Sequence, residues 1–304
     1  MPWEGTKLYH SDFSQSELKN VTYVAGEKGE IAVNQPVWSD NRLFFLSDQT
    51  GYHNLWQIDT GRQDATPEPA TKRLEYDFGN PMWQLGISDY TILSPKIAIV
   101  RPIIDSRTSL SRLDLESQTI TPLKGGEIYV EVQQLKRLSD TQAVFIGSRG
   151  DQKPTLVLVT IGSTGAEFKE IQTNAPQTGA KKLDPKYISH AETHTLRIPW
   201  EKKAVRPKGM KEGDVDLHVN LFLPTNPKFM APEGTAPPCL VGVHGGPLVH
   251  VWDTCDPDPD LTDLLPNLGL PERRLLLSPR TSIIPLVVMR CLMLIVSRSR
   301  SEAR

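Results

Sequence analysis

A short phrase, Leu-x-x-x-Asp, returns along the first half of the chain and limits the folds open to it. It runs from Leu8 to Asp12, from Leu55 to Asp59 and from Leu110 to Asp114, with a degenerate copy from Leu156 to Thr160. Successive leucines stand 47, 55 and 46 residues apart. Around the second copy the local pattern is plain. Leu43 to Ser47 is an apolar strand, Asp48-Gln49-Thr50-Gly51 is a turn, and Asn54 to Asp59 is the returning strand, closed by Gly61. A strand-rich unit recurring at about 40–50 residues is the signature of β-propeller blades. One blade cannot bury both faces of its sheet, so neighbours must stack. Residues 1–185 are therefore expected to form a partial β-propeller of three to four blades, mainly β and without closure, leaving sheet edges unpaired. The 25 prolines in 304 residues favour such turns over long helices.

The character changes after residue 185. Thr195 to Pro199 and Leu217 to Pro224 alternate like strands, with a charged loop between them. Next comes Leu240-Val241-Gly242-Val243-His244-Gly245-Gly246-Pro247, an apolar run that stops in two glycines. Adjacent glycines after a buried strand turn the backbone sharply and leave N–H groups uncovered by any Cβ. An oxyanion hole requires such donors, aimed where negative charge develops.

On these residues a resemblance to a known family rests. The segment NLFLPTNPKFMAPEGTAPPCLVGVHGGP resembles the opening of the catalytic domain of the prolyl oligopeptidase family of serine peptidases, in its acylaminoacyl-peptidase-like or dipeptidyl-peptidase-like branch. QPVWSDNRLFFLSDQTGYHNLWQID and MPWEGTKLY resemble blades of the same branch, so that the likeness covers roughly residues 1–247. The resemblance implies a propeller joined to an α/β-hydrolase domain, with residues 186–250 supplying the linker and that domain's first strands. It implies hydrolysis of short peptides by a serine in G-x-S-x-G, with Asp and His following in chain order. It makes Gly246 the oxyanion donor, Gly245 the residue that sets the loop, and His244 the residue that shapes it.

The pattern then departs from the family. No G-x-S-x-G occurs in the 304 residues, and Gly162-Ser163-Thr164-Gly165 has the wrong spacing and lies in a blade turn. Residues 251–304 do not resemble a hydrolase domain. They carry a run of aspartates from Asp253 to Asp263, an apolar stretch from Ile283 to Val296 and a closing Arg298-Ser299-Arg300-Ser301. This tail is expected to be poorly ordered, atypical or frame-shifted. The reading is a fragment of a serine peptidase, inactive because the triad is missing, with His244, Gly245 and Gly246 as a remnant of the oxyanion loop. The alternative is a non-catalytic propeller that binds partners through its loops.

Other motifs are read as bland. His190-Ala-Glu-Thr-His194 places its carboxylate two residues after the first histidine, where a zincin helix has it adjacent, so a surface histidine pair is expected. Asp256-Pro-Asp258-Pro-Asp260 opens like a calcium loop but has Leu261 and Asn267 where Gly and Glu belong. No metal and no cofactor are expected. Trp38, Trp56 and Trp83 are expected to pack between sheets. Arg101 and Arg107 are read as isolated surface arginines, the alternative being a pair that holds a peptide carboxylate. A net charge of −2 argues against a nucleic-acid partner. The apolar stretch near the end is shorter than a membrane span and interrupted by Pro285 and Arg290, so no membrane partner is expected. Three cysteines, Cys239, Cys255 and Cys291, fit neither a disulfide framework nor a zinc site, which points to a cytoplasmic setting. Nothing in the sequence sets an oligomeric state.

Overall fold

The computed structural model describes residues 5–80, 82, 85–150, 152–163, 165–173, 186, 188–198, 215–223 and 227–228. Among them strands dominate and no α-helix occurs. The chain divides into two compact units, residues 1–149 with 153–175, and residues 150–152 with 176–304.

The first unit opens with a hairpin of β1 (Leu8–Ser14) and β2 (Glu17–Ala25). Three four-stranded sheets follow in chain order. The first contains β3 (Val33–Ser39), β4 (Arg42–Ser47), β5 (Asn54–Asp59) and β6 (Glu68–Pro69). The second contains β7 (Thr91–Ser94), β8 (Ile97–Val100), β11 (Ser111–Asp114) and β12 (Thr119–Pro122), interrupted by the small hairpin β9 (Ile103–Ile104) and β10 (Arg107–Thr108). The third contains β13 (Glu131–Arg137), β14 (Gln142–Arg149), β15 (Gln152–Ile161) and β16 (Ala166–Thr173). Strand β7 lies against both β3 and β13, so the first strands of successive sheets meet. Separate four-stranded sheets stacked in chain order, none closed on itself, make a partial β-propeller. The expected mainly β, three-to-four-blade architecture is met by three blades and a hairpin.

Strand β4 shows why the blades stack. Leu43, Phe44, Phe45 and Leu46 are all buried, as a strand covered on both faces requires. Leu43 and Phe45 join Val24, Val33, Trp56 and Ile58 in one cluster, on the side of the hairpin. Phe44 and Leu46 point to the opposite face. They pack with Leu55, Phe78, Tyr90, Ile92, Ala98 and Val100 between the first two blades. The alternation repeats in the second blade, where Ile92 and Ala98 face the first blade while Leu93 and Ile99 face the third. In the third blade Tyr129, Val132, Phe145, Val157 and Val159 complete that seam. Each fully buried aromatic or aliphatic side chain contributes about 1.5–3 kcal/mol by leaving water.

The recurring phrase has a structural cause. Its copies at Leu55, Leu110 and Leu156 fall on or directly before β5, β11 and β15, the third strand of each blade. Leu55 and Leu110 are core residues. The terminal aspartate turns the chain out of the strand: Asp59 Oδ1 accepts from Gly61 N at 3.1 Å, and Asp114 Oδ1 accepts from Ser117 N at 2.9 Å. The copy at Leu8 sits instead on β1 of the hairpin.

In the second unit β17 (Ala191–Ile198) pairs antiparallel with β18 (Val215–Phe222), from Ala191 opposite Phe222 to Ile198 opposite Val215. These are the two alternating stretches expected there. The strand expected to end at His244 and the tail 251–304 lie outside the described residues, as does the apolar stretch 283–296. Among the described residues no helix is long and apolar enough to cross a membrane.

Candidate functional site

The polar groups that the fold concentrates lie at the seams between blades. In β3, Gln35 takes φ of 54°, a left-handed conformation uncommon for a side-chain-bearing residue, at a bulge between Asn34 and Val37. The bulge lets its side chain reach the second blade. Gln35 Nε2 donates to Asp89 Oδ2 at 2.8 Å, and Asp89 N donates back to Gln35 Oε1 at 2.7 Å. The Tyr90 hydroxyl donates to the Gln35 carbonyl at 2.7 Å, and complete burial holds its pKa well above the ordinary tyrosine value. Asn80 N adds a bond to Asp89 Oδ2 at 3.0 Å.

Arg101 carries the network to the third blade. Its Nη2 pairs with Asp89 Oδ1 at 2.6 Å, as an ion pair rather than an aligned hydrogen bond, while Nη1 donates to the Val132 carbonyl at 2.8 Å. Beside it Ser88 and Leu135 exchange bonds: Ser88 Oγ donates to Leu135 O at 2.7 Å and Leu135 N to Ser88 O at 2.8 Å. Gly79 passes close to this junction. A Cβ there would meet Leu46 Cδ1 at 2.5 Å and Asp89 Oδ2 at 3.0 Å.

A second buried group gathers at the β4–β5 turn. His53 N donates to Asp77 Oδ1 at 2.7 Å, and the imidazole Nδ1 lies 3.5 Å from the same oxygen. Burial pulls the His53 pKa down. The hydrogen bond and charge of Asp77, with the charges of Asp48 and Asp89, outweigh it and leave the pKa above the ordinary histidine value. Asp48 is raised by burial, against the His53 charge and the bond its Oδ1 accepts from Ala32 N. A buried imidazole beside a carboxylate could serve a nucleophile. Here His53 Nε2 has no hydrogen-bond partner among the described residues. Among those residues there is also no group of three or more side chains arranged to hold a metal ion. The chemistry these groups support is cross-blade cohesion.

The residues singled out in the sequence fare differently. His244, Gly245 and Gly246, the oxyanion-loop remnant, lie outside the described residues, as do Trp83 and the aspartates 253–263. Glu192 and His194 share one face of β17, with Glu192 Oε2 3.5 Å from His194 Nε2 and both half exposed. Gly162 and Gly165 close the β15–β16 turn through Gly162 N to Gly165 O at 2.7 Å. Two expectations are corrected. Arg101 is not a surface arginine: it is buried between blades because Asp89 supplies the countercharge. Trp38 does not pack between sheets. It is 53 % exposed, edge-on to His10, whereas Trp56 is buried as expected. Sequence reasoning missed Gln35, His53, Asp77 and Asp89. The repeat marks blade strands, and these polar residues come from bulges and from connections between strands.

With the geometry in hand, the class is that of a partial propeller whose blades are joined at their seams by buried polar side chains. The structure resembles a crystal structure of puromycin hydrolase at TM-score 0.67 and 24 % identity, over 84 % of this chain and 35 % of that one. It resembles a Mycobacterium tuberculosis puromycin-hydrolyzing peptidase at TM-score 0.67 and 25 % identity, over 84 % of this chain and 36 % of that one. These likenesses fit a part of a prolyl-oligopeptidase-family chain. The chain spans about a third of the length of the structures it matches. No protein-family model and no curated protein matches it.

Proposed function

We propose that this chain is the propeller-bearing portion of a serine peptidase of the prolyl oligopeptidase family that acts on short peptides, and that the 304-residue chain alone turns over neither peptides nor esters. The observation that carries the reading is the likeness in fold to the Mycobacterium tuberculosis puromycin-hydrolyzing peptidase across 84 % of the chain. The sequence of residues 217–247 supports it. On this reading residues 1–185 are the propeller, 186–250 the linker and first hydrolase strands, and 251–304 a tail foreign to the domain. Gly246 would offer its N–H to an oxyanion, with Gly245 and His244 holding the loop. An oxyanion donor needs a nucleophile and a base beside it, and the sequence has no G-x-S-x-G to supply the first. A cytoplasmic, reducing setting accompanies the proposal. The alternative of a non-catalytic interaction module has no observation in its favour.

Two measurements test the proposal. A small activated ester and a serine-directed phosphonate, offered to the full chain, are expected to show no turnover and no labelling; stoichiometric labelling of one serine would overturn the inactivity. A transcript of the same gene that replaces residues 248–304 through another frame or splice form after the Pro247 codon is expected to encode G-x-S-x-G. A continuation without it would overturn the family reading.

A further inference from the structure

We propose that Ser139, in the turn between β13 and β14, is a phosphorylation site for a kinase that reads basic residues, and that its phosphate displaces the Asp140 carboxylate from Arg137. In each of the three blades a serine stands at or just past the end of the first strand, where the chain turns into the second: Ser39, Ser94 and Ser139. The serine suits the turn. Ser94 Oγ accepts from Lys96 N at 3.4 Å, and Ser139 Oγ accepts from Thr141 N at 3.3 Å.

What precedes the serine differs. Pro36-Val37-Trp38 leads to Ser39 and Thr91-Ile92-Leu93 to Ser94, whereas Lys136-Arg137-Leu138 leads to Ser139. Kinases select their serines by the charge of the flanking residues, and cations just ahead of the serine fit an acidic substrate groove. Lys136, Arg137, Leu138, Asp140 and Thr141 are all exposed, so the surface around the half-buried Ser139 is open.

Phosphorylation forms a bond from Ser139 Oγ to the γ-phosphorus of ATP, breaks the bond from that phosphorus to ADP, and passes the hydroxyl proton to the kinase's base. The phosphate carries about −1.5 to −2 charges at pH 7. Arg137 lies over the same turn. Its Nη2 donates to Asp140 Oδ1, and its Nε donates to the Leu93 carbonyl of the second blade at 2.9 Å. Arg137 and Asp140 are both exposed, so solvent weakens their pairing. A dianion next to Asp140 in sequence repels its carboxylate and offers Arg137 a stronger, bidentate partner. Because Nε stays on Leu93, the phosphate becomes tied to the seam between the second and third blades. This inference is independent of the peptidase reading.

The full chain, treated with ATP and the catalytic subunit of cyclic-AMP-dependent protein kinase, is expected to carry phosphate at Ser139 and none at Ser39 or Ser94, read by tandem mass spectrometry. Ser139→Ala should lose that phosphopeptide. Lys136→Gln with Arg137→Gln should slow its formation about tenfold, through the loss of two exposed charge pairs. Phosphoserine placed at position 139 during translation should titrate, by phosphorus NMR, at lower pH in the folded chain than in the same chain unfolded in urea. Arg137→Gln should remove that difference and Asp140→Asn should enlarge it. Circular dichroism and a cooperative melt confirm that each variant is folded. Phosphate at Ser39 or Ser94 in place of Ser139, a rate untouched by loss of the two cations, or phosphoserine that titrates alike in folded and unfolded chains would overturn the proposal.

Discussion

Asp89 and Arg101 stand 2.6 Å apart, oxygen to nitrogen, with their side chains 2 % and 1 % exposed, and between them they tie three blades. Asp89 is held by Gln35 of the first blade, and Arg101 reaches Val132 of the third. Removing one member of a buried pair strands the other charge, at a cost of about 3–5 kcal/mol. Asp89→Ala is expected to lower stability by that order, read as a drop in the urea midpoint with little change in slope. An effect below about 1 kcal/mol would show that water reaches the pair.

His53 sets an expected pH dependence. Its folded pKa is raised above the ordinary value of 6.5. Its contribution to stability is therefore fully present below pH 6.5 and lost as pH rises through the higher folded value. Asp48, also raised, acts in the same direction but in a lower window, starting from its ordinary 3.8. Urea unfolding of the wild type should show stability falling from pH 6.5 upward, and His53→Gln should flatten that slope. An unchanged slope in the variant would place the titrating group elsewhere.

Gly79 is required by space. An added methyl would lie 2.5 Å from Leu46 Cδ1 and press on Asp89 Oδ2. Gly79→Ala should cost about 1–3 kcal/mol through overpacking. Combined with Asp89→Ala it should cost less than the sum of the two, because both disturb one junction. Thermal denaturation of the two single variants and the double variant measures that coupling.

Phe45 faces the seam between the hairpin and the first blade. Phe45→Ala should cost about 3–5 kcal/mol by leaving a cavity. Hydrogen exchange should then quicken first in the amides of β2, β3, β4 and β5, whose side chains share that cluster. Uniform acceleration across all three blades would show that the seams open together.

The third strand of each blade was legible in the sequence because two requirements coincide there. Leu55 and Leu110 must be buried, and Asp59 and Asp114 must turn the chain out. Strands β17 and β18 were legible from alternation, though their pairing was not. The cohesive groups were not, since Gln35 acts through a left-handed bulge that leaves no mark on hydropathy. Arg101 looked like any surface arginine until Asp89, twelve residues away in sequence, came to its side. Trp38 was misread because a tryptophan on a first strand can face outward wherever no neighbouring sheet covers it. The catalytic expectations at His244, Gly245 and Gly246 fall outside the described residues.

The opposed burial of Phe44 and Phe45 means that two neighbouring letters of the chain answer to different partners. A change of volume at one reshapes the hairpin side, and at the other the second blade, with only the β4 backbone to transmit the strain. Sequence drift at these sites is thus constrained pairwise across seams. Compensating changes for Phe44 should arise near Tyr90 or Val100, and those for Phe45 near Val24 or Trp56.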